Sequence, residues 1–566
     1  MAHTIRNAFQ VTGRIALAMV GASLLACGDD DPSGPEVCEG DSGTIAQLNP
    51  LQGIVVAADV LERCSTLPGA GANYLIVPQF ATSGSATPVQ YTIGSEAGAV
   101  ASIAARVQGH EPELSRQAAF DRALRDWERG MRASPELSRR AAASVAATLP
   151  EPNSTRDFKV LASLGANPQF ETSTASLRFV GTRILLYVAV DAPSSGFTDQ
   201  EVVALGQLFD RDLFDLAIAN FGTVSDIDAN ERVIVLLTPV VNRLTPASSC
   251  ASQGFVTGFF TGFDLTNTGS SSNRAEIFYA LVPDPSGQLS CAHSVAQIKS
   301  LVPATFIHEL QHMISFNEHV LVRNGSAEEL WLNEGLSHIA EEIASLYYER
   351  RFPAPQGRTN PQQIFPDSAG PFITGNLINS YRYLASTGST SVTSVAGTGS
   401  LGERGATWLF LRWLGDHKGD AIFKRLVQTN QIGIANITAQ AGEPFRALFG
   451  DFSIAVYTDS IPGTARTQVP ERFRFESRNL RQLYQTLFNA SQSGGQPSPS
   501  VPRPFPIELR TLPPDQQASD NMLPGTMEHF EIRSATASEI ELVFRRAGGE
   551  PFAATLNAQV GVFRLP

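Results

Sequence analysis

The sequence predicts an α+β fold, in which strands and helices mix in the first half, apolar helices fill the second, and short β-rich segments stand at both ends. Three observations carry that expectation. Arg232 to Pro239 and Glu276 to Val282 are near-continuous apolar runs, as strands buried on both faces require. Thr198 to Phe221 sets Val202, Leu205, Phe209, Leu213 and Leu216 on one helical stripe. Gly402 to Asp416, Ile422 to Val427 and Pro444 to Tyr457 are apolar at helical spacing and predict a mostly helical later lobe. With 566 residues, 43% of them hydrophobic and 17% charged, the chain is globular and too long for one ordinary core.

Taken in order, the chain begins with Arg6 and Arg14, then an apolar run from Ile15 to Ala26 that is too short to span a bilayer. The ending Leu24-Leu25-Ala26-Cys27 resembles a bacterial lipobox. That resemblance implies a signal peptide over 1–27, cleaved before Cys27, and acylation of the Cys27 thiol. The body would then be exported to the cell envelope or surface and held to a membrane by lipid, through a flexible tether over 28–45. A net charge of −13 and the lack of a basic run exclude a nucleic-acid footprint. The four remaining cysteines suit an oxidising compartment, and their order suggests Cys38 with Cys64 and Cys250 with Cys291, one of three possible pairings.

Ile54 to Ala58, Tyr74 to Phe80 and Val89 to Ile93 read as strands of a small β-rich module over 46–111. A helical segment follows over 112–156, with Leu114, Ala118, Leu124, Trp127 and Met131 near helical spacing. A packed surface helix pair is the expectation there, with a removable pro-segment as the alternative. The main domain is expected over 157–490, opening with strands at Leu177 to Val180 and Arg183 to Val190. Asp226, Asp228 and Asn230 resemble the opening of a calcium loop. The sixth place is not glycine and the twelfth is not glutamate, so a polar turn is preferred to Ca2+. A Ser, Gly and Pro rich linker over 491–506 leads to a second small β-sandwich-like module over 507–566, with strands near Glu528 to Arg533, Glu539 to Phe544 and Gln559 to Leu565.

The chemistry concentrates in Phe306-Ile307-His308-Glu309-Leu310-Gln311-His312-Met313-Ile314. Histidines four apart lie one turn apart on one helical face, so both imidazoles reach a single cation while Glu309 points beside it. A catalytic zinc takes three protein ligands and keeps one position for water. Glu334, in Trp331-Leu332-Asn333-Glu334-Gly335-Leu336-Ser337-His338, is the candidate third ligand.

HELQH with a downstream NEG resembles the gluzincin metallopeptidases, and HELQHMISFNEH with WLNEGLSHIAEE is especially similar to the hyicolysin-type family of neutral metallopeptidases. The match covers about Ala304 to Glu342. It implies a zincin-like catalytic domain, one Zn2+ per chain on His308, His312 and Glu334, and Glu309 as general base. The implied activity is hydrolysis of peptide bonds in a peptide or protein substrate. Ser290 to Thr305 lacks the Gly-x-Met-Glu-Asn type stretch of the aminopeptidase branch, so an endopeptidase is preferred to an aminopeptidase. A non-catalytic binding lipoprotein on the same scaffold is the other alternative, which an intact Glu309 disfavours. Tyr381, Tyr383, His338 and His417 are the candidates for stabilising the oxyanion. Glu276 to Val282 is either the sheet edge on which an extended peptide would lie or an interior strand.

Overall fold

The computed structural model describes residues 38, 43–45, 47–96, 99–100, 115–136, 149–352, 365, 368–394, 399–492, 500–533 and 537–566. The expected signal peptide, Cys27, nearly all of the tether, residues 112–114 (with Leu114) and 137–148 of the 112–156 segment and residues 493–499 of the 491–506 linker lie outside the described residues. No helix among the described residues is long and apolar enough to cross a membrane.

The fold is α+β. Helix α1 (Arg116–Glu128) starts at Ser115, whose side chain accepts a hydrogen bond from the Ala118 backbone and so caps the helix. The central sheet then forms from β1 (Thr155–Ser163), β2 (Gln169–Val180), β3 (Ile184–Ala189), β4 (Val233–Leu237), β5 (Gly258–Phe260) and β6 (Ile277–Ala280). Their spatial order is β5-β6-β4-β3-β2-β1. β3, β4 and β6 run parallel, while β5 and the β1–β2 hairpin are antiparallel to their neighbours. β3, β4 and β6 are nearly all apolar because both of their faces are covered. β1 and β2 alternate polar and apolar residues, and β2 reaches back to Gln169, well before the start expected from its apolar end.

Helix α2 (Asp199–Leu208) opens with a capping box between Thr198 and Glu201, then continues through a π turn, Phe209–Leu213, into Phe214–Phe221. That turn puts the Phe209 ring against Phe306 of α3 (Val295–Phe316), with ring centroids 4.2 Å apart. After α3 come α4 (Leu330–Arg351), α5 (Gly370–Ala385), α6 (Leu401–Lys418), α7 (Ala421–Val427) and α8 (Phe445–Thr458), the expected helical lobe. α5 and α6 approach so closely that a Cβ on Gly405 would stand 2.2 Å from the Asn379 backbone.

The two terminal segments, expected as separate small modules, share their sheets. Gly53–Ala57 and Asn73–Phe80 from the beginning flank Ala558–Arg564 from the end, and Asn73–Phe80 also pairs with Phe530–Arg533. Val89–Gly94 lies between Gln516–Met522 and Val543–Arg546. In Asn73–Phe80, Leu75 and Val77 face the main core while Tyr74 and Ile76 face a second one, so this sheet separates two apolar cores. The partner of each strand is more than 400 residues away, for example Tyr74 beside Arg564, so no local pattern reveals the pairing. Cys38–Cys64 and Cys250–Cys291 are both bonded, as their order suggested.

Candidate metal centre

α3 presents His308 and His312 on one side while Phe306, Ile307, Leu310, Met313 and Ile314 fill the core around it. α4 crosses beside it and is held close to α6 by Gly335, where a Cβ would meet Thr407 Cγ2 at 2.4 Å. This packing brings Glu334 to the two imidazoles. His308 Nε2 and His312 Nε2 are 3.2 Å apart, and the Glu334 oxygens lie 3.5 Å from the first and 3.6 Å from the second. Three potential electron-pair donors thus surround one point. Glu334 is ion-paired with Arg404 at 2.9 Å, yet neither of its buried oxygens receives a well-aligned hydrogen bond. Open carboxylate lone pairs facing two ring nitrogens fit a divalent cation, which removes the cost of burying that charge.

The imidazoles are oriented from behind. His308 Nδ1 meets Glu341 Oε1 at 2.8 Å, and His312 Nδ1 lies 3.1 Å from Asn333 Oδ1 and 3.2 Å from Ser337 Oγ. Such partners fix the ring orientation and leave Nε2 for the ion. Burial alone would lower the His308 pKa, but the neighbouring carboxylates of Glu334 and Glu341 outweigh it and carry it up to about 10. Burial and Arg125 hold His312 well below its ordinary value. Burial would raise Glu334, but Arg404 and the two histidines hold it far below the usual carboxylate range. Glu309 is the contrasting carboxyl: it is 1% exposed, and burial pushes it up to about 8 despite Arg125 and His308.

The sequence reading missed the groups that surround these residues. Arg404 of α6 joins Glu334 to Asp121 of α1, the latter at 3.1 Å. Arg125 of α1 lies 3.5 Å from Glu309 Oε2 and 2.6 Å from Glu128 Oε2. No spacing links these residues to the motif. Glu341 was the legible one, since it stands two turns after Glu334 on the same face of α4.

α1 is therefore no outer helix: its Asp121, Arg125 and Glu128 are buried against the site. It also covers the sheet edge. Glu276 to Val282 holds an interior strand, β6, and the edge is β5. Along β5, the Gln117 carboxamide accepts from Thr257 N at 2.7 Å and donates to Gly258 O at 3.0 Å. Arg125 donates to Phe260 O at 2.8 Å, and Phe260 N donates to Glu309 Oε2 at 3.0 Å. β5 escaped the sequence reading because three residues with a glycine carry no period.

Of the four oxyanion candidates, the structure brings His338 alone to the centre, its ring centroid 4.9 Å from that of His308. Tyr381 donates to Arg503 O, Tyr383 lies against Met527, and His417 contacts Arg474 O. His338 Nε2 is buried with no hydrogen-bond partner. His308, Glu309, His338 and Arg404 line a cavity of about 180 Å³ closed on one side by α1. A larger cavity of about 310 Å³ between the terminal sheets and Arg446 holds neither histidine nor cysteine.

No family model matches the chain. It is similar to the neutral metalloprotease ShpI of Staphylococcus hyicus, with 26% identity over 174 residues, which is 31% of this chain. The match spans 36% of that relative, so the chain covers only about a third of its length.

Proposed function

We propose that the chain is a zinc-dependent metallopeptidase of the gluzincin, hyicolysin type, with a zincin-like main domain. In this reading His308, His312 and Glu334 hold one zinc ion and Glu309 is the general base. The observation that carries it is the convergence of those three ligands to within 3.6 Å of one another on α3 and α4. The similarity to a neutral metalloprotease supports the same reading.

Zinc, when bound, supplies a Lewis acid that polarises the scissile carbonyl and acidifies the attacking water. Glu309 takes the proton from that water and passes it to the departing nitrogen. Its raised pKa suits both halves of the task, because a carboxyl near neutrality both accepts and releases a proton. His338 Nε2, facing the same cavity, donates to the carbonyl oxygen as negative charge develops on it. Asn333, Ser337 and Glu341 keep the two imidazoles turned towards the ion, and Arg404 holds Glu334 ionised.

An extended peptide would lie along β5 and take the Thr257 N–H and Gly258 C=O that Gln117 now occupies. Main-chain recognition along a strand does not need a free amino end, which favours an endopeptidase. The lipobox at Leu24 to Cys27 supports an exported protein anchored by lipid on Cys27, with peptides or proteins outside the cytoplasm as substrates. Elemental analysis of the zinc-reconstituted chain should give one zinc, and an N-blocked peptide should be cut internally. A chain that retains no zinc, or cleaves only substrates with a free α-amino group, contradicts the respective part. Cys27→Ala should move the protein from the membrane to the soluble fraction; unchanged fractionation argues against the anchor.

A further inference from the structure

The loop between α2 and β4 carries a second arrangement of metal-ligating groups, made of oxygen alone. Asp226, Asp228 and Asn230 occupy the first, third and fifth places of a calcium-type loop. The sixth place, which such loops reserve for glycine, is Glu231, and its φ of 58° is the left-handed conformation that place demands. Its N–H donates to Asp226 Oδ1 at 3.1 Å. The twelfth place falls at Leu237 inside β4, where no glutamate can serve.

The missing carboxylate comes from elsewhere in the sheet. Glu276 immediately precedes β6, which lies beside β4 with Ile277 opposite Ile234. It is 1% exposed, its Oε1 receives Ser225 Oγ at 2.5 Å and Ile227 N at 3.0 Å, and its Oε2 has no partner. One carboxylate oxygen from each of Asp226, Asp228 and Glu276 lies within 4.8 Å of the others. We propose that these three carboxylates form a calcium site, Glu276 standing in for the glutamate that ordinarily closes such a loop.

Asp226 and Asp228, gathered around the buried, half-satisfied Glu276, repel it and each other unless a cation sits among them. Burial already drives Glu276 up to about 7 and Asp228 up to about 6. Arg156, whose charge reaches Asp228, donates to Asn273 O and lies over the Phe158 ring. An all-oxygen set with flexible geometry selects Ca2+ over zinc, and Mg2+ would demand a stricter octahedron. The ion would tie the loop to the start of β6, where Phe278 pairs with Phe260, the residue whose N–H reaches Glu309. Its role is to brace that end of the sheet.

The test is calcium titration calorimetry on the full zinc-loaded chain freed of calcium, with thermal melts in CaCl2 and in MgCl2 at the same ionic strength. The expected result is one Ca2+ per chain and a melting temperature that rises by several degrees with calcium and much less with magnesium. Glu276→Gln, which keeps an acceptor for Ser225 and Ile227, and Asp226→Asn at an exposed position should each weaken calcium binding at least tenfold. No saturable uptake by the wild-type chain, equal stabilisation by magnesium, or unchanged affinity in either variant overturns the proposal.

Discussion

Two clusters of ligating side chains stand in this molecule, one on the helices α3 and α4 and one between a loop and the strand β6, and they differ in how the chain assembles them. In the first, His308 and His312 are brought together by a helical turn, and Glu334 comes from the next long helix. In the second, Asp226 and Asp228 are local, but Glu276 reaches them only because β6 lies next to β4. Periodicity fixes the histidine pair before the fold exists, and helix packing adds Glu334; sheet order completes the second set. The donors differ as well: two imidazoles and a carboxylate suit zinc, while three carboxylates suit a harder cation.

That contrast can be broken from either side. The largest expected effect is Glu309→Gln, which should lower kcat by about 10²- to 10⁴-fold while zinc content and calcium stabilisation stay as in the wild type. Turnover close to wild type would remove Glu309 from the proposed mechanism. Next comes Arg404→Ala, which strips the buried Glu334 and Asp121 carboxylates of their shared partner. It should cost about 3–5 kcal/mol in chemical denaturation of the metal-free chain, with part of the loss recovered when zinc is added. A loss below about 1 kcal/mol would mean that Arg404 is dispensable to the centre.

The two clusters should also respond differently to pH. His308 has its pKa raised to about 10 in the metal-free chain, so below that value it carries a proton that zinc must displace. Zinc affinity should therefore climb by about tenfold per pH unit between pH 7 and 9. Glu276, raised only to about 7, is ionised above that value, so calcium affinity should level off there. Competition titrations at several pH values measure both slopes, and a flat zinc curve would contradict the protonation state given to His308. The smallest effect is expected from Gln117→Ala, which frees Thr257 N and Gly258 O on β5. It should raise kcat/KM for an extended peptide by about 2- to 10-fold, the worth of one or two modest hydrogen bonds; a fall would place the peptide elsewhere.

How much of this was legible in the sequence follows from the range of the forces involved. The helices were, because apolar stripes such as Val202 to Leu216 repeat within a few residues. So were β4 and β6, as unbroken apolar runs. The association of His308, His312 and Glu334 could be read because two helices carry it. Arg404 and Asp121 could not, since they meet Glu334 only after α1 and α6 have packed. The shared terminal sheets were hidden for the same reason: the alternation in Asn73–Phe80 shows a strand, but nothing local shows that Ala558–Arg564 lies beside it. The loop at Asp226 reads as a polar turn in preference to a calcium loop, because glycine and glutamate are missing from fixed places. In the proposed site, the backbone conformation at Glu231 and the Glu276 carboxylate just before β6 supply from outside the pattern what those places lack.

The proposed centre is tested most directly by anomalous diffraction at the zinc edge on crystals of the zinc-reconstituted chain. A single strong peak is predicted at about 2.0–2.2 Å from His308 Nε2, His312 Nε2 and a Glu334 oxygen. No peak there, or a peak with Glu334 out of reach and no other donor in its place, would contradict the central claim.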